Sequence, residues 1–145
     1  MSASQIFQIV NPIAMFGWIL LVVFPNWKHT KHFTSVLLSA LFFAGIYFVA
    51  ISISFGKSGG NFRTLEGVRL LFSNDFALLA GWVHYLSFDL FVGTWEVEDA
   101  KANRISRFLI LPSLFFTFMF GPVGLLSYTI LKLILRKPIL TAVNI

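Results

Sequence analysis

The chain has 145 residues, of which 57% are hydrophobic and only 12% charged, with a formal net charge of +5. This balance excludes an ordinary soluble domain, because the chain has too few polar residues to cover a hydrophobic core. The absence of cysteine excludes disulfides, thiolate metal sites and cysteine catalysis. The basic residues lie between or just beyond the apolar runs, which favours contact with lipid headgroups and argues against nucleic acid as a partner.

Four apolar segments reach the length of about 20 residues that a membrane-spanning helix needs. They cover about residues 6–24, 33–55, 76–95 and 108–131. Pro12 in the first segment and Pro112 in the fourth each remove a backbone donor and predict a bend or a helix start. No basic stretch or cleavage site accompanies the first segment, so we expect a retained span. The sequence therefore predicts one domain over residues 1–145, an all-α integral membrane protein folded as a four-transmembrane-helix bundle.

The longest connection, residues 56–74, joins the second and third spans and opens with the glycine-rich turn 56–60. Thr64 is a helix-capping residue type and precedes a short helix over residues 64–72. One side of this helix is apolar, and Glu66 and Arg69 can pair at i,i+3. We expect it to lie in the membrane interface.

Four spans place both termini on one side of the membrane, and the basic residues then divide six to five between the two sides. The positive-inside rule therefore decides nothing, although cytoplasmic termini are slightly favoured. Lys132, Arg136 and Lys137 mark the interface after the fourth span, where we expect Lys132 to extend its ammonium group towards water.

The third span carries the ionisable residues. Asp89 lies roughly 9 Å inside the end of this span, at a depth where a carboxylate is costly and marks a functional site. Asp75, Trp82, Asp89 and Glu96 recur every seven residues, so they share one helix face with Tyr85. We expect Asp75 to cap the helix start and Glu96 to lie at the opposite interface.

His84 lies about 140° around the helix from Asp89, so one metal cannot bind both. The other spans offer no further histidine or acid at depth, and we expect no metal and no cofactor. Two interpretations of Asp89 stay open: a direct role in ligand binding or proton transfer, and a structural hydrogen bond between helices. For His84 a structural hydrogen bond is the favoured interpretation.

Other residues at depth can contribute to a ligand site. Trp18 and Trp82 lie deeper than the aromatic belt, and packing between helices is their alternative use. The break at Gly121-Pro122 either lines a cavity or only bends its helix, and bending is favoured. Gly121 and Gly124 also permit a close helix contact. The candidate ligand contacts are Trp82, Asn11, Trp18, Gly121 and Pro122.

Residues 81–93, GWVHYLSFDLFVG, followed by Pro112 and by GPVGLL at residues 121–126, resemble the small four-helix membrane proteins of the abscisic-acid-deficient-four type. The first two spans resemble that family by length and by the position of Asn11-Pro12. In plants the family is required to form neoxanthin from violaxanthin in plastid membranes, and it has bacterial and algal members. The resemblance implies a multi-pass protein of a bacterial inner membrane or a plastid-type membrane. Because the chain begins close to its first span, we expect a bacterial member, with a mature fragment as the alternative.

The resemblance implies a function in carotenoid or isoprenoid metabolism, with a xanthophyll isomerase as the specific form. Converting a ring epoxide into an allenic alcohol removes one proton from a polyene carbon and delivers one to the epoxide oxygen. It needs no redox cofactor or metal. Asp89 is the expected base, and His84, Tyr85 or an interfacial arginine the expected acid. The expected partners are the lipid bilayer and a lipophilic isoprenoid or carotenoid ligand.

Two other functions stay open. The protein is alternatively a non-catalytic pigment- or lipid-binding subunit of a larger membrane complex, in which Asp89 only joins helices. A small channel or transporter is the third interpretation, and the scarcity of intramembrane charges argues against it. The sequence determines neither the ligand nor the oligomeric state, which leaves both a homo-oligomer and a larger complex open.

Overall fold

The structure, a computed structural model, describes residues 1–57 and 59–139. Six helices are present in these residues. Three of them, α1, α2 and α4, are long enough and apolar enough to cross a membrane. The helices are α1 (Ala3–Val23), α2 (His32–Ser54), α3 (Leu65–Phe72), α4 (Asp75–Ala102), α5 (Arg107–Phe120) and α6 (Pro122–Ile134).

The helix starts follow from local capping chemistry. Ser2 begins α1 with a capping box, in which its side chain accepts from the backbone N–H of Gln5. Thr64 caps α3 as predicted, and the predicted Glu66–Arg69 ion pair forms at 2.8 Å. The cap of α4 is Asn74, and Asp75 is the first helical residue. The prediction for Asp75 was wrong by one position, because the amide oxygen of Asn74 already accepts the free N–H groups.

The first half of α2, His32–Phe43, is a π-helix, and its second half, Ala44–Ser54, is an ordinary α-helix. Small polar side chains along the π-helical half are buried against α4. The Oγ of Ser87 donates to the carbonyl of Ser39 at 3.0 Å, and Thr94 donates to the hydroxyl of Thr34 at 2.8 Å. These hydrogen bonds join α2 to α4 without any charged group.

Helix α4 lies at the centre and contacts every other helix. Helix α1 runs parallel to it. Near one end of the pair, the indole N–H of Trp82 donates to the side-chain oxygen of Asn11, and near the other the Lys101 ammonium donates to the carbonyl of Pro25. Gly93 lets the helices approach closely, because a Cβ atom there would lie 2.5 Å from the ring of Trp18.

The segment predicted as the fourth span is not one helix. It consists of α5 with 14 residues and α6 with 13, separated at Gly121. Gly121 has φ +46° and ψ −93°, a backbone conformation that favours glycine. The four-span bundle is therefore not what the structure shows, because the chain changes direction at this residue.

Contacts with α4 show that α5 and α6 form a hairpin. Thr117, before the break, bonds Glu96, and Tyr128, after the break, bonds Asp99. Gly121 itself lies against Asp89, which is further towards the start of α4. Both arms therefore lie beside the C-terminal half of α4, with the tip of the hairpin near the middle of that helix.

This reversal also separates the two ends of the described chain. Met1 lines a groove with Phe76 at the start of α4. The carbonyl of Ile139 accepts from Lys132, whose ammonium group also bonds Asp99 near the end of α4. The prediction that both termini share one side differs from this arrangement, because it assumed that the fourth segment crosses from end to end.

Candidate acid/base site at the tip of the hairpin

Asp89 lies where the tip of the α5–α6 hairpin meets the middle of α4. It is 8% exposed, and its Oδ2 atom is buried with no hydrogen-bond partner among the residues that the structure describes. A Cβ atom at Gly121 would lie 2.7 Å from Oδ1 of Asp89. Only a residue without a side chain fits here, so the glycine brings the hairpin backbone directly onto the carboxylate.

Tyr85 lies one helical turn before Asp89 on the same face. Its hydroxyl donates to the carbonyl of Phe118 at 2.9 Å and also lies close enough to the Asp89 carboxylate to interact with it. The carbonyl of Phe118 belongs to the last turn of α5, so the hairpin tip fixes the tyrosine. The structure thus brings together two of the three residues expected to carry acid/base chemistry.

The structure does not bring His84 to this pair. Its side chain is exposed and lies between the rings of Phe88 and Tyr47, with centroid distances of 4.6 and 5.7 Å. This position agrees with the angular separation from Asp89 that the helix geometry predicts. His84 therefore faces the outside of the bundle.

Three of the expected ligand contacts, Trp82, Asn11 and Trp18, lie around Tyr85 and Phe118. The ring of Trp82 stacks against Tyr85 at 5.5 Å while its N–H bonds Asn11. Trp18 is 5% exposed and packs edge-on against Phe118 at 5.4 Å. Of the remaining two, Gly121 contacts Asp89 as described above, and Pro122 is exposed at the first position of α6. Trp82 thus contacts Tyr85 and Gly121 contacts Asp89, whereas Asn11 and Trp18 are linked to these residues through Trp82 and Phe118.

Glu96 and Asp99 are fully buried inside the protein, and the interfacial depth expected for Glu96 stays a prediction. The Glu96 carboxylate accepts from the hydroxyl of Thr117 at 2.9 and 3.0 Å. Asp99 accepts from the Tyr128 hydroxyl at 2.6 Å. Helix α4 continues to Ala102 instead of ending near residue 95, and the hairpin arms cover its last two turns.

Lys132 also differs from its prediction. It is 1% exposed and pairs with Asp99 at 2.5 Å, whereas a straight fourth span would have left its ammonium group in the interface. The ammonium group lies 5.8 Å from the ring of Trp95 and 5.7 Å from that of Tyr128, so both rings contribute cation–π attraction.

Sequence reasoning missed this second cluster, formed by Glu96, Asp99, Thr117, Tyr128 and Lys132. A signal was present, because Glu96 and Asp99 are spaced i,i+3 on one helix, as Tyr128 and Lys132 are spaced i,i+4 on another. The described residues contain no group of three or more His, Cys, Asp or Glu side chains that could hold a metal ion. The contacts within this cluster include hydrogen bonds and the Asp99–Lys132 ion pair.

These features define a class of protein: an α-helical membrane protein whose central helix bears buried carboxylates covered by a helical hairpin. Comparison with known proteins identifies the family. The chain belongs to the ABA DEFICIENT 4-like family, whose model matches residues 5–128, and this confirms the resemblance seen in the sequence.

The chain is also similar to "Protein ABA DEFICIENT 4, chloroplastic" of Arabidopsis thaliana. The two are 24% identical over 143 residues, which cover 93% of this chain and 64% of that protein. The chain therefore spans less than two thirds of the length of the curated relative that it matches. No solved structure matches the chain.

Proposed function

We propose that the protein acts in carotenoid or isoprenoid metabolism as a redox-neutral isomerase that opens a ring epoxide of a polyene to an allenic alcohol. The observation that carries the proposal is the Oδ2 atom of Asp89, buried without a hydrogen-bond partner in the described residues, beside the Tyr85 hydroxyl. Family membership supplies the substrate class, through the ABA DEFICIENT 4-like relatives.

The proposed reaction balances without an added reactant. Asp89 takes a proton from the polyene carbon, the electrons of that C–H bond form the new double bond of the allene, and the C–O bond of the epoxide breaks. Tyr85 gives its proton to the epoxide oxygen, which becomes the alcohol. A proton then passes from Asp89 back to Tyr85, so both side chains regain their starting forms.

Tyr85 is a better candidate than His84 for the general acid, because it lies beside Asp89. Its hydroxyl is adjacent to Asp89 and is held by the carbonyl of Phe118, whereas His84 points away from the bundle. A base and an acid on the same side of the helix can act on neighbouring atoms of one ligand.

The same geometry suggests how the ligand contacts the protein. Trp82, hydrogen-bonded to Asn11, offers an aromatic face next to Tyr85, and Trp18 supports Phe118 from the other side. Gly121 and Pro122 form the hairpin tip above the reacting end of the ligand. Such a site is built for a long apolar molecule with one polar end group.

A multi-pass membrane location agrees with the lengths and compositions of α1, α2 and α4, because each is long and apolar enough to cross a bilayer. The Arabidopsis relative is chloroplastic by name. We propose a plastid-type membrane or a bacterial inner membrane, with the surrounding lipid as the other partner.

Asp89→Asn in a host that makes epoxy-carotenoids tests the proposal. The isomeric product, which has the substrate's mass but a different retention time and absorption spectrum, is expected to disappear. Glu66→Gln is the matched control, because Glu66 is exposed on α3 and pairs there with Arg69. Equal accumulation of both variants in the membrane establishes that the loss is chemical.

Unchanged product from Asp89→Asn overturns the isomerase. Pigment that co-purifies unaltered with native protein and variant alike then favours the second candidate, a non-catalytic pigment-binding subunit. The apolar groove of about 350 Å³ between α1 and α5, lined by Trp18, Phe118 and other apolar residues, is the observation that favours that candidate.

A further inference from the structure

We propose that the α5–α6 hairpin enters the membrane only from the side of the α1–α2 connection and ends at the depth of Asp89. The leaflet beneath its tip is then the entrance through which a long isoprenoid ligand brings its polar end to Asp89 and Tyr85. The topology stands on geometry alone, while the identity of the ligand rests on the proposed function.

The lengths of the helices support a re-entrant hairpin. At 1.5 Å per residue, α1 is about 30 Å long and matches the hydrocarbon thickness, whereas each arm of the hairpin is about 20 Å long. The base of the hairpin lies at the end of α4, where Lys132 pairs with Asp99, and the tip contacts Asp89. The hairpin therefore reaches the middle of the bilayer and returns.

The distribution of apolar and basic residues along the hairpin also supports a re-entrant hairpin. Phe120 and Val123, on either side of the tip, are 55% and 49% exposed, which suits contact with lipid chains and not with water. Arg107 begins the first arm, and Arg136 and Lys137 follow the second. Basic residues at the outer ends of both arms and apolar residues at the tip are expected when the base of the hairpin lies at one membrane surface.

This topology also determines the orientation of the protein in the membrane, which the six-to-five division of basic residues for four spans left open. Apart from the buried Lys132, seven basic residues now lie on the side of the hairpin base and three on the side of the N-terminus. The positive-inside rule then places the hairpin base in the cytoplasm or its equivalent, and the N-terminus outside. The three are Lys57, Arg63 and Arg69; the seven are Lys28, Lys31, Lys101, Arg104, Arg107, Arg136 and Lys137.

Below the tip, residues at the starts of α1 and α4 line a groove of about 450 Å³. Phe7, Leu78 and Trp82 are among the residues that line it. Phe7, Trp82 and Tyr85 stack in sequence, with ring centroids 5.6 and 5.5 Å apart, so the aromatic wall continues from the groove to the acid/base pair. The groove between α1 and α5 has only apolar lining residues. The groove that contains Trp82 is also lined by Ser4, Gln8 and Asp75, so a ligand with a polar end is directed to that groove.

The topology is tested with single cysteines, because the native chain has none. Ser2→Cys, Lys28→Cys and Pro138→Cys are each treated with a membrane-impermeant maleimide in intact cells and in inverted vesicles. We expect Ser2→Cys to react from one side, and Lys28→Cys and Pro138→Cys from the other. Labelling of Ser2→Cys and Pro138→Cys from the same side overturns the re-entrant hairpin.

The entrance is tested by filling each groove with a bulky side chain. Leu78→Trp is expected to lower the yield of isomerised product at least fivefold, with the protein present in normal amount. Val49→Trp is the matched control, since Val49 is 54% and Leu78 56% exposed and Val49 lies in the groove between α1 and α2. It is expected to leave the yield unchanged.

Ile19→Trp examines the competing groove between α1 and α5. A yield lowered by Ile19→Trp but not by Leu78→Trp overturns the proposed entrance, even if Asp89→Asn still abolishes the product. If Asp89→Asn itself retains the product, the isomerase fails, and the cysteine labelling still decides the topology.

Discussion

Lys132 of α6 and Asp99 of α4 form a buried ion pair of 2.5 Å, with their side chains 1% and 0% exposed. Tyr128 donates to the same carboxylate oxygen, and the Lys132 ammonium also donates to the carbonyl of Ile139. Charges removed from solvent need such partners. Both bonds go to Oδ2 of Asp99, and its Oδ1 atom is buried without a hydrogen-bond partner among the described residues. The pair therefore joins the second arm of the hairpin to the central helix at a defined position.

Lys132→Met is expected to destabilise the protein by about 3–5 kcal/mol, because it leaves the Asp99 carboxylate buried without its cation. Thermal unfolding in mild detergent measures the effect. Lys101→Met is the control, since the Lys101–Glu98 pair is partly exposed at 37% and 21% and should contribute at most about 1 kcal/mol. Equal losses for both variants would contradict the importance that we assign to burial.

The double variant Lys132→Met with Asp99→Leu separates charge from packing. Removing both charges should recover much of the stability that Lys132→Met loses, because the penalty comes from an unpaired buried charge. Recovery is measured in the same detergent by the same unfolding assay. No recovery would indicate that Asp99 contributes mainly through its bond with Tyr128.

Gly124→Ala is expected to destabilise the hairpin. A Cβ atom at Gly124 would overlap the backbone nitrogen and Cα of Thr117, so the two arms must move apart at a cost of roughly 1–3 kcal/mol. Gly45→Ala is the matched control, because a Cβ atom there meets nothing within 4 Å. Alanine should stabilise that helix by about 0.5–1 kcal/mol. Opposite shifts in unfolding temperature would support the close contact, and equal shifts would argue against it.

Tyr85→Phe is expected to lower product formation roughly a hundredfold under the proposed mechanism, because general acid catalysis contributes that much or more. Tyr47→Phe is the control, since Tyr47 lies on α2 beside His84 and away from Asp89. Product per unit of membrane protein is measured in the epoxy-carotenoid host. A small effect of Tyr85→Phe would remove Tyr85 from the acid role.

His84→Phe is expected to retain product formation within about twofold of the native protein. The imidazole is exposed between Tyr47 and Phe88, and phenylalanine preserves the ring contact there. The same pigment assay measures the result. A large loss would bring His84 back as a candidate acid and would require the ligand to approach from the opposite face of α4.

Helical periodicity was sufficient for several local features. The cap at Thr64, the Glu66–Arg69 pair and the shared face of Tyr85 and Asp89 all depend on residues within a few positions of one another. The outward position of His84 follows from the same rotation of 100° per residue. Local geometry of this kind can be read from spacing alone.

Hydropathy also identified the membrane helices, because apolar length measures the cost of placing a segment in lipid. It failed for residues 108–131, where two short apolar helices have the same total length as one long span. A hydropathy profile adds up apolar residues along the chain and does not report whether the chain continues straight or turns back. The reversal at Gly121 is therefore invisible to it, although the glycine-proline pair marks the place.

The burial of Glu96, Asp99 and Lys132 could not be read from spacing, because these side chains are covered by residues more than twenty positions away in the chain. A charge near the end of an apolar run is normally stable in the interface. It becomes part of the core only when another segment folds back over it and supplies a counter-charge. The amino-acid order thus specifies the helices and their caps, while the folding of α5 and α6 onto α4 decides which charges are buried and where the candidate site at Asp89 and Tyr85 lies.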